Sequence, residues 1–463
     1  MPKRGFALMQ EAAEQAPSAP ARAETDLAQP LRHLEVRHAM AVCVGMVIGA
    51  GIFRTSPNVA QSVMNGGTLF GAWALGGVLS LLGALCFAEM AAAFPHAGGD
   101  YTFLSRAYGR RLALFFAWSR FSVIHTGSMA LLAFVCGDYL AQLVNFGPWS
   151  SPVFGVVTVI VLTFVNLRGV RIGLGTQVGF MALVLFGLGC VIVAAVWLAW
   201  QGAAPLSATD VSAAISDRTA FGTAMIFVLL AYGGWSDAAT LSSEMRDARR
   251  GIVLALLAGM TIVAALYLAV NWGYLRVLGL DGLAQSQAPA ADVMRLAFGR
   301  PGEVLIVSTV TVAAVSIMNA LLIVGARTTF AAACDLEALP YLGKWDATRG
   351  TPAYAMLAMG AVAILLIGFG TITRGGFSTM VDYLAPVYWF FLSLSALAVI
   401  VLRLRYPDVP RPFRVPGYPL TPIVFLLSCL YMLYASLEYV QIGALVGVGV
   451  LAMGGVLLLF DRR

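Results

Sequence analysis

Residues 44–58 read VGMVIGAGIFRTSPN, an apolar stretch long enough to enter a membrane, with Gly49-Ala50-Gly51 at its middle. Glycine packs no side chain and loses the most backbone entropy in a helix, so in water this tripeptide marks a loop. In hydrocarbon it carries another meaning. Freed N–H and C=O groups find no water there, and irregular backbone is tolerated only where it lines a cavity or is buried in protein. A broken membrane helix is therefore a candidate binding site.

The surrounding chain puts that stretch in a bilayer. Its 463 residues are 60% hydrophobic and 11% charged, with a mean hydropathy of +0.84, far too apolar for a soluble protein. Lipid is the first expected partner. Cys43, Cys86, Cys136, Cys190, Cys334 and Cys429 fall in or at the ends of apolar runs without CxxC or Cys/His spacing, so no disulfide framework, metal site or cofactor is expected. The net charge of +6 comes with no basic stripe or stacking motif, which argues against a nucleic acid partner. Basic loops at a cytoplasmic face account for it.

Residues 1–33, rich in Ala, Pro, Glu and Gln and lacking a cleavage signal, read as a disordered cytoplasmic tail. Twelve apolar segments follow, each of roughly 18 to 30 residues, the length that crosses about 30 Å of hydrocarbon. They lie at 39–63, 68–93, 112–143, 152–168, 172–200, 219–243, 251–276, 303–333, 353–372, 378–402, 419–437 and 440–460. Arg110 and Arg111, Arg168 and Arg171, Arg249 and Arg250, and Arg403 and Arg405 share the side of the tail, while the loops near 64–67, 144–151 and 438–440 hold no Lys or Arg. The only well-charged outer loop, about 277–302, balances its arginines with acids. Both termini are thus expected in the cytoplasm of a bacterial cell, with the chain in its inner membrane.

A second break, FVLLAYGGWSD at 227–237, carries Gly233-Gly234 in the sixth span. Matched interruptions in spans one and six are what an inverted five-plus-five repeat leaves, with copies at 39–200 and 219–402 and two further spans at 419–460. The fold class expected is all-α, twelve-helix and LeuT-like. Taken singly, either glycine pair also fits helix packing.

The two breaks suit opposite charges. The outer half of span one begins near Ile52, and its free amides bring the positive dipole end to the midplane, where a carboxylate fits. The first half of span six ends near Ala231 with unpaired carbonyls, which suit an ammonium group. A zwitterionic amino acid satisfies both, leaving its side chain to Trp235, Ser236, Asp237 and their neighbours.

GMVIGAGIF, FAEMAAAFPHAGGDY at 87–101, AYGGW followed by SSEM at 231–245, and PDVPRPFRVPGYPLTP at 407–422 resemble the amino acid, polyamine and organocation transporter superfamily. Within it they are most similar to bacterial permeases and the light chains of L-type amino acid transporters. The resemblance implies that amides around Ile48, Gly49, Ala50 and Gly51 hold the substrate carboxylate, that carbonyls of Leu230, Ala231 and Gly233 hold the amine, and that Trp235 lines the site. Leu230 stands where light chains have a gating aromatic. Val184 stands where many relatives have a coupling lysine, and the chain's only lysines are Lys3 and Lys344. Loop 144–151 lacks the cysteine that bonds a heavy subunit, so no disulfide-linked heavy chain is expected.

Ionisable groups within spans cost about 2.5 to 3.5 kcal/mol at the bilayer centre and need a reason. Arg54 pairs with an acid, draws an anionic substrate group or snorkels outward. Arg120 and His125, five residues apart, read as different faces of one helix; His125 is a structural histidine or a proton relay. Glu89 and Glu244, near cytoplasmic ends, pair with arginines as an inner gate or carry protons. Asp237, where relatives close to the light chains have a neutral residue, tunes substrate choice or coupling, or pairs with Arg54 or Arg120. Hydroxyls at Ser308, Thr309, Thr311 and Ser316, with Asn319, leave a sodium site open, although helical hydroxyls generally bond their own i−4 carbonyl. The function expected is secondary transport of an L-amino acid by alternating access. An exchanger, a polyamine or cationic amine transporter, and an amino acid sensor without useful flux are the alternatives. No acid pair, metal spacing or nucleophile elbow suggests an enzyme.

Overall fold

The computed structural model describes residues 36–49, 51–96, 98–168, 174–202, 218–238, 245, 248–335, 341–346, 351–373, 375–438 and 442–459. The tail at 1–33, Ala50 and Glu244 lie outside the described residues. Among those described, the regular structure is helical and contains no strand.

The first expected span is two helices, α1 (Val36–Val47) and α2 (Gly51–Gln61), and the sixth is α8 (Arg218–Ala231) followed by the single turn α9 (Trp235–Ala238). Between them lie α3 (Gly66–Ala93), the short α4 (Asp100–Tyr108), α5 (Arg110–Leu143), α6 (Ser150–Leu167) and α7 (Leu174–Trp200). After them come α10 (Ala248–Gln285), α11 (Pro289–Asp335), α12 (Ala353–Ile372), α13 (Phe377–Arg405), α14 (Leu420–Glu438) and α15 (Ile442–Leu459). Nine of the described helices are long and apolar enough to cross a membrane.

Their outer faces are apolar. Val157, Ile160, Val161 and Phe164 on α6, and Phe186, Val193 and Val196 on α7, are exposed, which a water-facing surface would not tolerate as a continuous patch. Trp149 and Trp200, also exposed, stand at the start of α6 and the end of α7, where amphipathic rings favour a membrane interface. Inside, α10 packs closely on α1, α2 and α3, and α8 on α2 and α3, while α5, α6, α11 and α12 pack on one another.

Residues 277–302 differ from the expected loop. The helices continue through most of this stretch, bent at Gly279 (φ +69°) and Gly299 (φ +64°). The physical reason is a buried apolar set, Leu283, Ala288, Ala290, Ala291, Val293 and Met294, which packs down onto the bundle while Asp292, Arg295 and Glu303 pair around it.

Candidate functional site

The helix of span one unwinds after Val47. Ile48 N–H still reaches the Val44 carbonyl (2.7 Å), Gly49 N–H turns back to the Val47 carbonyl (2.7 Å), and the helix restarts at Gly51. The first amides of α2 have no intrahelical acceptor, because the residues that would supply one have left the helix. In span six, Gly233 N–H closes on the Leu230 carbonyl (3.1 Å) and Gly234 takes φ +98°, with α9 beginning at Trp235. A β-carbon on Gly234 would stand 2.5 Å from the Met46 carbonyl oxygen, so only glycine lets the two breaks touch.

A residue that sequence reasoning passed over joins them. The Tyr267 hydroxyl of α10 lies 3.0 Å from the Val47 carbonyl oxygen and 3.1 Å from that of Ala231. It has one proton to donate, so the two carbonyls share it, and each keeps capacity for a further donor. The ring packs against Trp73 (5.6 Å) and Tyr232 (4.9 Å), which fixes its direction.

Both breaks open on a cavity of about 900 Å³. Ile48, Gly49, Gly51, Leu230, Ala231, Gly233, Ser236 and Asp237 all line it, and so do Arg120 and His125. Its mouth, on the side where α1 begins, is formed by exposed His96, Arg327 and Trp345. On the other side the molecule is tied shut. Arg54 donates to Asp138 (2.9 Å) and Gln287 (2.7 Å) and covers the Phe377 ring (5.3 Å), while the Tyr139 hydroxyl donates to the Phe53 carbonyl (2.8 Å).

Arg120 and His125 correct the reading from helical spacing. Residues 120–125 form a π-helical turn inside α5, where widened winding returns i and i+5 to one side. Arg120 Nε and Nη2 lie 3.1 and 2.8 Å from His125 Nε2, and Nη2 also donates to Asp237 Oδ1 (2.5 Å). A guanidinium only donates, so the ring nitrogen accepts, and His125 is neutral with its proton on Nδ1. Of the partners considered for Asp237, Arg120 is the one it has. Close by, Asp100 at the start of α4 is buried with Oδ1 unpartnered, and burial pushes its carboxyl up to about 8, with Arg120 opposing and Asp237 adding.

The family described as Amino acid permease matches residues 34–450, from the start of α1 into α15. The chain belongs to that family. Among curated proteins, the permease is 26% identical over 406 residues to b(0,+)-type amino acid transporter 1 of Mus musculus, covering 86% of this chain and 81% of the relative. It is 28% identical over 405 residues to the serine/threonine exchanger SteT of Bacillus subtilis (86% and 90% covered), and 26% over 421 residues to Asc-type amino acid transporter 1 of Mus musculus (89% and 77%).

Trp235 stands apart from the expected site of the permease. It is buried away from the cavity, edge-on to Phe87 (5.1 Å) and against Phe425 (6.0 Å), because the Gly83 notch in α3 admits its ring. Glu89 is also remote from the cavity. It binds Arg403 through both oxygens (2.7 and 2.6 Å) and accepts from Val415 N–H (2.7 Å), anchoring the loop between α13 and α14. On α11, Ser308 and Thr309 bond the carbonyls of Val304 and Leu305, and Asn319 pairs with Asn166 (2.7 Å). Val184 presents an apolar side chain to the cavity.

Proposed function

We propose that this permease carries an L-amino acid across the cytoplasmic membrane by alternating access, with the carboxylate on the first amides of α2 and the ammonium on carbonyls at the end of α8. The observation that carries this reading is Tyr267, whose hydroxyl touches a carbonyl of each break at the head of one cavity. Anion-seeking amides and cation-seeking carbonyls then lie a few Å apart, and neither needs a charged side chain.

In the full proposal the chain crosses twelve times, both ends are cytoplasmic, and 39–200 and 219–402 are inverted repeats followed by two supporting spans. The group containing α1, α3, α8 and α10 rocks against the group containing α5, α6, α11 and α12. The conformation described is then the inward-open one, with Arg54, Asp138, Gln287 and Phe377 as its outer closure. Arg120 neutralises Asp237, which favours substrates without a net charge over polyamines. Loop 144–151 contains no cysteine, and we read the permease as working without a disulfide-linked second chain.

Exchange is the reading of its mode that the Bacillus subtilis relative favours. The test is counterflow in proteoliposomes across a panel of labelled amino acids, with and without unlabelled amino acid inside. Uptake of a neutral amino acid that requires internal substrate is expected. No uptake of any amino acid under either condition would contradict transport, and binding without flux would favour the sensor.

A further inference from the structure

Among the described residues, the acids expected to carry protons are otherwise engaged, Asp237 by Arg120 and Glu89 by Arg403, and the neutral His125 ring serves Arg120 as an acceptor. Asp138 is bound by Arg54. Asp382 differs from all of them. It lies in the second turn of α13, only 8% exposed, and no cation or hydrogen-bond donor reaches its carboxyl among the described residues. It faces a closed pocket formed with Thr223, Ile226 and Phe227 of α8 and Ser436 of α14, and Gly443 of α15 abuts its β-carbon. Titratable groups on the adjoining elements are Glu438, engaged by Tyr434 at the end of α14, and Arg54 with Asp138 at the outer closure.

An ionised carboxylate buried without partner is among the most costly groups a protein can hold, and it relieves the cost by taking a proton. The pocket has no room for a water molecule, and the Ser436 hydroxyl already donates to the Leu433 carbonyl, so a coordinated metal ion does not fit. Phe227 and Val381 form walls of both this pocket and the central cavity. Phe227 also stacks on Phe377 (6.5 Å, 16° between planes), the ring beneath Arg54.

We propose that Asp382 is a proton-binding site, loaded from the side away from the tail and linked through Phe227 and Val381 to passage of the amino acid. The protonated carboxyl is compatible with the closed pocket and hence with the conformation open toward the tail. The ionised carboxyl favours a conformation in which α8 and α13 part and water reaches it. External acid therefore promotes the outward-to-inward step, whichever mode of transport operates. This rests on the transport reading above.

The test is counterflow of the best neutral substrate into proteoliposomes at fixed internal pH, with external pH lowered stepwise from neutral. The wild-type rate is expected to change at least about threefold per pH unit, within the tenfold ceiling for a single titrating group. Asp382→Asn should be flat with pH, and Asp382→Glu should restore a response. Infrared difference spectra of the purified protein supply a readout that needs no flux, since Asp382→Asn should lose one protonated-carboxyl C=O band of the wild type while the band that Asp100→Asn removes persists. A pH response that survives in Asp382→Asn but vanishes in Asp100→Asn would overturn the assignment, as would identical infrared spectra. A wild type that carries amino acid without any pH response sinks the proton site alone; one that carries none sinks the transport reading.

Discussion

At Arg120 a single guanidinium holds a histidine and an aspartate from two different helices, with Asp100 as a third neighbour on the loop helix α4. Asp237 is part-exposed to the cavity, so removing one partner costs less than the about 3 to 5 kcal/mol of a fully buried pair. Asp100 obeys a separate rule. In the unfolded chain its carboxyl ionises near 3.8, whereas in the fold it holds its proton up to about 8. The folded protein therefore binds the extra proton between these values, and stability falls as pH rises through that window and levels off above it. Asp100→Asn removes the slope. Thermal unfolding in detergent should find the variant equal to wild type at the acid end and more stable at the alkaline end, while parallel pH curves would contradict the assignment.

Among the elements, the broken helices were legible and the π turn was not. Gly49, Gly51, Gly233 and Gly234 announce the breaks by falling at matched positions of spans one and six, since either pair alone also fits helix packing. Residues 120–125, RFSVIH, contain no such marker, so a regular helix wrongly separates Arg120 from His125. Trp235 misleads for a related reason. It follows the break directly, but one residue of helical rotation turns it into the Gly83 notch instead of the cavity. Gly234 provides the element's own test. Its φ of +98° and the Met46 oxygen 2.5 Å from a notional β-carbon predict that Gly234→Ala loses about 1 to 3 kcal/mol to backbone strain and more to the displaced contact. Gly71→Ala, on α3 with nothing within 4 Å, is expected to stay within about 0.5 kcal/mol of wild type. Equal melting temperatures for the two variants would show that the breaks are not packed as described.

For the whole molecule, apolar length alone delivers the order of the helices, since segments that must cross lipid leave a strong signal. Long-range partners leave none. Asp138 and Gln287 lie 84 and 233 residues from Arg54, Tyr267 bonds carbonyls 220 and 36 residues away, and nothing local in the chain names these pairs. The helical cap of 277–302 was hidden for another reason, because its charges read as a loop while its buried face is apolar.

For the assembled molecule, the central proposal is that two backbone breaks at the head of one cavity bind the zwitterion. The direct measurement is competition against uptake of the best labelled amino acid by three compounds with one side chain: the unlabelled amino acid, its amine lacking the carboxylate, and its acid lacking the amine. Each loss removes charge-assisted hydrogen bonds, so both truncated compounds should compete about tenfold or more weakly than the parent. A truncated compound that competes as well as the parent would show that the break it should have engaged does not hold the substrate.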